Sequence, residues 1–181
     1  MFYYYINLDR ACDRRIHMEQ VLHDKPHERI TATDGKLWDG QGWRKKCPNT
    51  REQIWRGSAG CWFSHIKALE RVIEAGRFPA CVLEDDVIFL DEPHFPAGGK
   101  MVYFGGLDHC GRVYGCHAIA YGSADDASKF LQFLRTHKMT SDSAAIAYNQ
   151  KYGCVTYCRP WSIVQKIGYS YIHERVRKAG T

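Results

Sequence analysis

The sequence predicts an α/β fold in which a largely parallel, twisted sheet is flanked by helices. Short apolar runs of strand length recur along the chain, stretches with helical spacing separate them, and no repeat or linker interrupts the alternation. A length of 181 residues is enough for one domain with a substantial core and is short for two. We therefore expect residues 1–181 to form a single domain.

The first three elements alternate between strand and helix. Phe2 to Leu8 is an apolar run that predicts a buried first strand, and residues 12–23 have the spacing of an amphipathic helix. Residues 29–33 predict a second short strand, which ends at Asp34-Gly35. This order of elements is the basis for expecting parallel pairing in the sheet.

The middle of the chain begins with a polar segment and returns to regular structure. Residues 36–57 contain several glycines and many polar groups, which predicts a long loop of the kind that is usually functional. Ser58 is a candidate cap for the next helix, and Gly76 is its predicted end. Residues 80–83 form an apolar run that predicts a buried strand.

The last predicted elements are two extended runs and a capped helix. The extended runs cover residues 101–104 and 112–121. Ser123 is followed three residues later by Asp126, a pattern that begins a helix, and the apolar residues Phe130, Leu131 and Leu134 then form its buried stripe.

Basic residues exceed acidic ones by 25 to 20, which gives a formal net charge of +5. The basic residues cluster after the first strand, before residue 57 and near the end of the chain. Such clusters attract the phosphates of nucleotides, lipids or nucleic acids. No nucleic-acid motif accompanies them, so we expect no nucleic-acid partner.

Composition excludes a disordered chain, because 45% of the residues are hydrophobic and 13% are aromatic. No apolar stretch approaches the ~18 residues of a membrane span, and the first residues lack the pattern of a signal peptide. We therefore expect a soluble protein in the cytoplasm or another intracellular compartment. In a reducing compartment the eight cysteines should be free thiols. A zinc site is an open alternative for Cys110, Cys116, Cys154 and Cys158, although none of them forms a C-x-x-C pair.

Three consecutive acids, Glu84, Asp85 and Asp86, close the apolar run of residues 80–83. Side chains at the carboxyl end of a strand emerge at the edge where open α/β sheets bind ligands. Alternation along an extended chain places Glu84 and Asp86 on one face and Asp85 on the other, so the outer pair can share one hard cation such as magnesium or manganese. The alternative is that the three acids form a solvated turn.

Four blocks in the first 90 residues carry a resemblance to a known family. They are Tyr5-Ile6-Asn7-Leu8-Asp9-Arg10 with Asp13-Arg14-Arg15, Glu28-Arg29-Ile30 continuing to Asp34-Gly35, Gly60-Cys61 continuing to Ser64-His65, and Val82-Leu83-Glu84-Asp85-Asp86-Val87. In this order they resemble the blocks of glycosyltransferase family 25, which includes bacterial lipooligosaccharide glycosyltransferases and procollagen galactosyltransferases. Weaker similarity continues at residues 117–121, 141–143 and 159–165, while Tyr171 stands where an acidic residue is expected.

The resemblance implies a GT-A fold that transfers a hexose from a nucleotide sugar to an acceptor. The expected donor is UDP-galactose or UDP-glucose, and the expected acceptor is a glycan, a lipooligosaccharide or a glycoprotein. A divalent cation, Mn²⁺ or Mg²⁺, would be held by the acidic motif, since a metal neutralises the diphosphate leaving group. The implied direct metal ligand is Asp86, while Glu84 would hold the metal through water or bind the ribose, and Asp85 would orient either of them.

The resemblance also implies the residues that bind the donor. The end of the first strand would frame the base and ribose, while Arg14 would reach the diphosphate or remain a surface charge. His65 is either a ligand or a packed histidine, and His173 is a further candidate metal ligand near the end of the chain. The full set of donor-binding candidates is Asn7, Leu8, Asp9, Arg14, Asp34, Ser64, His65, Glu84 and Asp85.

Inverting transfer requires a general base, and a carboxylate within hydrogen-bond reach of the acceptor is sufficient. Asp142 is the first candidate, because it lies at a predicted helix start and matches an acid of the family loosely. Its alternative role is to cap that helix. Asp108, after two glycines, is the second candidate, with a turn as its alternative.

Two other functions use the same residues. A metal-dependent phosphodiesterase would need a second group of acids or histidines for a second ion, and the sequence offers no clear one. A degenerate nucleotide-sugar or glycan-binding module would retain the fold without catalysis. Hydrolysis of the donor in the presence of manganese distinguishes an enzyme from a binding module.

Overall fold

The structure is a computed structural model that describes residues 1–37, 52–109, 111–137, 139–166, 169–170 and 175–176. Its strands are β1 (Phe2–Asn7), β2 (His27–Thr31), β3 (Ala80–Glu84), β4 (Val87–Phe89), β5 (Met101–His109), β6 (Arg112–Tyr121), β7 (Val155–Tyr157), β8 (Ile163–Gln165), β9 (Tyr169–Ser170) and β10 (Arg175–Val176). Its helices are α1 (Cys12–Val21), α2 (Glu52–Ala75), α3 (Ala124–Thr136) and α4 (Ser141–Tyr152), with a 3₁₀ turn at Gly35–Leu37.

The central sheet has six strands in the order β2-β1-β3-β6-β5-β7. The β1–β2, β1–β3 and β5–β7 pairs are parallel, while β6 runs antiparallel to both β3 and β5. The sheet is therefore mixed and mostly parallel, which confirms the predicted α/β class. The strands β4 and β8 form a separate antiparallel pair, as do β9 and β10.

Side chains alternate along each strand, so the apolar residues of a strand lie on both faces of the sheet. Tyr4 and Ile6 belong to a core that includes the apolar sides of α2, α3 and α4. Tyr3 and Tyr5 belong to a second core that includes Met18 of α1. Because both faces of the sheet are covered, its strands read as continuous apolar runs in the sequence.

Two predicted helix boundaries are confirmed by their capping geometry. The hydroxyl of Ser123 accepts a hydrogen bond from the backbone N–H of Asp126 at 3.2 Å, which makes Ser123 the N-cap of α3. Gly76 follows the last residue of α2 with a φ of 64°, a left-handed conformation that glycine adopts without strain.

The predicted start of the next helix was wrong, and so was the prediction that the preceding loop extends to residue 57. Helix α2 begins at Glu52, so Ser58 lies inside it and does not cap it, and residues 52–57 are helical. The glycine and polar residues of this segment are tolerated because its apolar residues, including Trp55, pack into the core. Residues 38–51, which make up most of the predicted loop, lie outside the described residues.

The other differences between the prediction and the structure concern the lengths of strands and helices. Strand β5 continues to His109 and forms a hairpin with β6, whereas the sequence predicted a strand ending at residue 104. Helix α1 ends at Val21 and not at His23. Within the described part of the chain, no helix combines the length and the apolar character needed to cross a membrane.

Candidate active site

The acidic motif lies where β1 and β3 end, beside the middle of β6. Strand β3 pairs in parallel with β1, with Ile6 opposite Glu84, so the residues after both strands reach the same edge of the sheet. On its other side β3 pairs antiparallel with β6, with Leu83 opposite Ala118, which brings the residues just before Ala118 to that edge. The motif is therefore bordered by one parallel and one antiparallel neighbour.

Glu84 contacts side chains from two other elements. Its Oε1 lies 3.4 Å from His65 Nε2 and 3.8 Å from Cys61 Sγ, both on α2. Its Oε2 accepts a hydrogen bond from Gln165 Nε2 on β8 at 3.1 Å. His65 is buried, and Cys61 and Glu84 are partly buried. Glu84 thus occupies a sheltered position between α2 and β8.

Asp86 lies near the same amide as Glu84. Gln165 Nε2 is 3.4 Å from Asp86 Oδ1, and the backbone N–H of Lys166 donates to the carbonyl of Asp86 at 2.5 Å. The chain turns after Glu84, yet Glu84 and Asp86 both face Gln165, as expected from alternation along an extended chain. The nitrogen of one amide therefore lies within 3.4 Å of both predicted metal ligands.

Asp85 is bound within the protein, and the Arg14 Nη1 atom that binds it also lies 3.6 Å from Asp86 Oδ2. Asp85 Oδ2 accepts from Asn7 Nδ2 at 2.7 Å, and Asp85 Oδ1 accepts from Arg14 Nη1 at 2.6 Å. Burial raises the pKa of Asp85, while Arg14 and Asn7 act in the opposite direction. This carboxylate is positioned to fix the turn that carries the motif.

Asp142 lies at the start of α4, beside the strand β6. Thr140 is the N-cap of this helix, with its hydroxyl accepting from Ser143 N–H at 3.3 Å, so the capping alternative for Asp142 is wrong. Asp142 instead accepts hydrogen bonds from the Cys116 thiol and the Gly115 backbone N–H. Burial and then the charge of Glu84 raise the pKa of Asp142, which these hydrogen bonds and His65 partly oppose.

Asp108 lies away from this group, near the end of the β5–β6 hairpin. It pairs in register with Val113, and its exposed carboxylate forms an ion pair with Arg159. Asp108 is thus a surface residue of the hairpin, and among the described contacts none joins it to Glu84 or Asp142.

The predicted donor-binding residues at the end of β1 form a polar network. The Asn7 amide accepts from Arg29 Nε at 3.0 Å and donates to Asp85 and to the carbonyl of Ala11. Leu8 begins the turn that leads to α1, and the exposed Asp9 accepts from Arg29 Nη2 at 2.5 Å. Asn7 and Arg29 therefore connect β1, β2 and the acidic motif.

Asp34 and Ser64 support the segment that follows β2. Arg10 binds both oxygens of Asp34 at 2.7 and 3.1 Å and holds the pKa of Asp34 below its ordinary value. The Ser64 hydroxyl accepts from the backbone N–H of Thr33 at 2.8 Å and donates to the carbonyl of Gly60 at 2.6 Å. Both side chains thus hold this segment against its neighbours.

Three residues of the site were not among the predicted ones. Cys61 could have been found, because it lies four residues before His65 and shares a helix face with it. Cys116 lies in an apolar strand, and Gln165 approaches only through the pairing of β8 with β4, so neither carries a local signal. His173, predicted as a further ligand, lies outside the described residues.

Two sets of donor atoms at this edge are suited to a cation. The Glu84 and Asp86 carboxylates offer oxygen atoms, which suit magnesium or manganese. In the described part of the chain, Cys61, His65 and Glu84 also offer one ligand atom each within 4.8 Å of one another. The residues present therefore fit a divalent cation at Glu84. Of the cysteines for which zinc was considered from spacing, Cys116, Cys154 and Cys158 are not in this group, and Cys110 lies outside the described residues.

Comparisons with known proteins agree with the resemblance of the sequence blocks. A family model described as glycosyltransferase family 25 (LPS biosynthesis protein) matches residues 1–100. A comparison with curated proteins finds no match. The matched region includes β1, α2 and β3, and so the acidic motif with the cysteine and histidine that contact it. Because the match covers 100 of the 181 residues, the chain belongs to glycosyltransferase family 25, and its activity is that of a glycosyltransferase.

Proposed function

We propose that this chain is a GT-A-type enzyme of one domain, which moves a hexose from UDP-galactose or UDP-glucose to a glycan, lipooligosaccharide or glycoprotein acceptor. The transfer would invert the anomeric centre and depend on a divalent cation. The observation that carries this proposal is the convergence of Glu84, Asp86 and Asp142 at one edge of the sheet.

Glu84 and Asp86 would hold the cation, since both carboxylates face the Gln165 amide. When bound, manganese or magnesium neutralises the negative charge that develops on the diphosphate leaving group. Asp85 supports the two ligands from behind, because Arg14 and Asn7 bind it and thereby fix the turn. In this arrangement Arg14 positions the motif and also brings positive charge to the edge where the diphosphate would lie.

Asp142 would act as the general base toward the acceptor hydroxyl. A pKa raised by burial and by Glu84 makes its carboxylate a better proton acceptor than an exposed aspartate, closer to the working pH. The Gly115 N–H and the Cys116 thiol orient that carboxylate from β6. Asp108 is the weaker candidate, because its carboxylate is exposed and paired with Arg159.

The donor nucleotide would lie across the end of β1. Leu8 and Asp9 follow the strand directly, and Asn7 is fixed below them by Arg29 and Asp85. Asp34 and Ser64 hold the neighbouring segment, and the buried His65 holds Glu84, so these three would shape the site from within the protein. In this proposal, several of the residues predicted to bind the donor instead support the site.

Cooperation between UDP and manganese tests the proposal. If the cation bridges the acidic motif and a diphosphate, UDP and Mn²⁺ together should stabilise the fold far more than either alone. At a ligand concentration about 100 times its dissociation constant the gain is about 2.7 kcal/mol, or roughly 5–11 °C in melting temperature. Asp86→Asn should remove most of this shift, whereas Asp91→Asn, a change at an exposed acid of the following segment, should retain it.

Two outcomes would contradict the proposal. An equal shift with UDP in the presence of EDTA would exclude the bridging cation. If UDP and manganese bind cooperatively but the protein neither hydrolyses the donor nor transfers sugar to any acceptor in a panel, the nucleotide-binding assignment stands and the catalytic assignment is refuted.

A further inference from the structure

A second set of ligand atoms lies on the helix side of Glu84. Cys61 and His65 are four residues apart on α2, so their side chains emerge from the same face of this 24-residue helix. Both approach one atom, Oε1 of Glu84, while Gln165 binds the other oxygen, Oε2. The two oxygens of Glu84 are thus divided between two groups of neighbours.

The distances in this group match those of a tetrahedral zinc site. With Zn–S of about 2.3 Å and Zn–N and Zn–O of about 2.1 Å, tetrahedral angles place sulfur and oxygen ~3.6 Å apart and nitrogen and oxygen ~3.4 Å apart. The corresponding distances are 3.8 Å from Cys61 Sγ to Glu84 Oε1 and 3.4 Å from His65 Nε2 to Glu84 Oε1. These two distances are within about 0.2 Å of the tetrahedral values, and Cys61 Sγ and His65 Nε2 lie within 4.8 Å of each other.

We propose that Cys61, His65 and Glu84 form a second cation site, which binds zinc or a metal of similar softness. Thiolate and imidazole ligands select such metals over magnesium and manganese. Three protein ligands leave a fourth position for a solvent ligand, and Ser141 Oγ lies 3.7 Å from Cys61 Sγ. This site rests on the geometry of its three residues and does not depend on the proposed donor.

Binding of zinc changes the protonation of Cys61. Burial, with the nearby charge of Glu84, keeps the pKa of this thiol well above its ordinary value, so the metal-free residue is a thiol. A zinc ion must therefore displace the thiol proton to the solvent as the Zn–S bond forms, which lowers its affinity relative to a preformed thiolate site.

A regulatory consequence follows from the shared ligand and rests on the proposed function. Glu84 Oε1 belongs to the soft site, and the same carboxylate would hold the cation at the diphosphate. Zinc bound at Oε1 would place a second positive charge on the carboxylate whose Oε2 faces the other cation position, which weakens binding of that cation. Zinc should therefore inhibit transfer in competition with manganese.

Cobalt is a spectroscopic probe for the zinc site. Titration of the whole chain with Co²⁺ should give a thiolate-to-cobalt charge-transfer band and tetrahedral d–d bands, which one equivalent of Zn²⁺ removes. Cys61→Ser should abolish the band that depends on this site and weaken zinc binding by more than about 100-fold, since even the loss of residues that support metal ligands costs about 10–100-fold. Cys12→Ser, a change at an exposed thiol on α1, is the matched control and should leave both unchanged.

His65→Asn provides a second variant if Cys61→Ser does not fold, and circular dichroism checks both. A cobalt band and zinc affinity that survive both substitutions would overturn the proposal. Asp86→Asn separates the two sites, because it should lose the joint response to UDP and manganese while retaining the cobalt band. If the parent shows the Cys61-dependent band without any response to UDP and manganese, the zinc site stands and the proposed donor site is wrong.

Discussion

Replacement of Asp142 by asparagine should stabilise the fold while removing transfer. Burial and the charge of Glu84 raise the pKa of this carboxyl in the folded state, so its ionised form is disfavoured there. Asparagine has nearly the same shape and retains an oxygen that accepts from the Gly115 N–H. The substitution therefore removes a buried charge without removing the hydrogen bond.

The sign of the effect follows from the two protonation states. A carboxyl whose pKa is higher in the folded than in the unfolded chain binds more protons when folded, so stability falls as the pH rises from the ordinary aspartate range through the raised value. Each unit of difference corresponds to about 1.4 kcal/mol, or roughly 3–5 °C in melting temperature for a domain of this size. Asp142→Asn should not lose this stability at neutral pH, because asparagine does not ionise.

Thermal denaturation and transfer assays on the same variants test the argument. Asp142→Asn should melt above the parent at pH 7, and the difference should shrink as the pH falls toward the ordinary range of an aspartate. Transfer should fall by about 10²–10⁴, the usual contribution of a general base. Asp108→Asn is the control, because its exposed carboxylate should affect stability by no more than about 0.5 kcal/mol.

Two results would refute this reasoning. A melting temperature below that of the parent would mean that the ionised Asp142 stabilises the fold. Transfer within a factor of about three of the parent, combined with a loss in Asp108→Asn, would assign the base to Asp108.

Two further predictions concern the framework of the site. A Cβ on Gly60 would lie 2.7 Å from the backbone nitrogen of Gly35 and 2.8 Å from the carbonyl of Thr33, so Gly60→Ala should cost about 1–3 kcal/mol in denaturant unfolding, while Ser58→Ala on the same helix should change little. Arg14→Met should lower the free energy of unfolding by about 3 kcal/mol, because it removes a cation from the buried Asp85, and the effect should be smaller at acid pH, where that carboxyl is protonated. If Arg14→Met costs the same stability in a chain that also carries Asp85→Asn, the charge of Asp85 is not the cause.

Much of the fold is visible in the sequence because its determinants are local. The apolar runs of β1 and β3 are buried on both faces, and the Ser123 cap with its apolar stripe defines α3. The start of α2 was missed because glycine and polar residues lower helix propensity there, whereas packing of residues such as Trp55 supplies the stabilisation. The antiparallel direction of β6 has no local signal, since strand direction depends on connections and packing across the sheet.

In the site, too, the local features could be predicted and those that depend on the assembled fold could not. The position of Glu84 and Asp86 at a strand end is a local property and could be predicted. The approach of Gln165 depends on the pairing of β8 with β4, and that of Asp142 depends on the contact of α4 with β6, so these are properties of the assembled fold. Sequence patterns could offer Asp142 as a candidate but could not separate it from a capping residue, a distinction that rests on Thr140.

The reversed strand β6 determines the order in which the site can be assembled. The segment matched by the family model is synthesised before β6 and contains β3, whose second hydrogen-bonding edge is completed only when residues 118–121 pair with it. Until then the emerging chain carries an apolar strand with an open edge, which can pair with other chains. A fragment ending at residue 100 would have the acidic motif without Gly115, Cys116 or Asp142. Exchange of such fragments between relatives would therefore transfer the proposed cation ligands while the proposed base and its partners remained with the recipient.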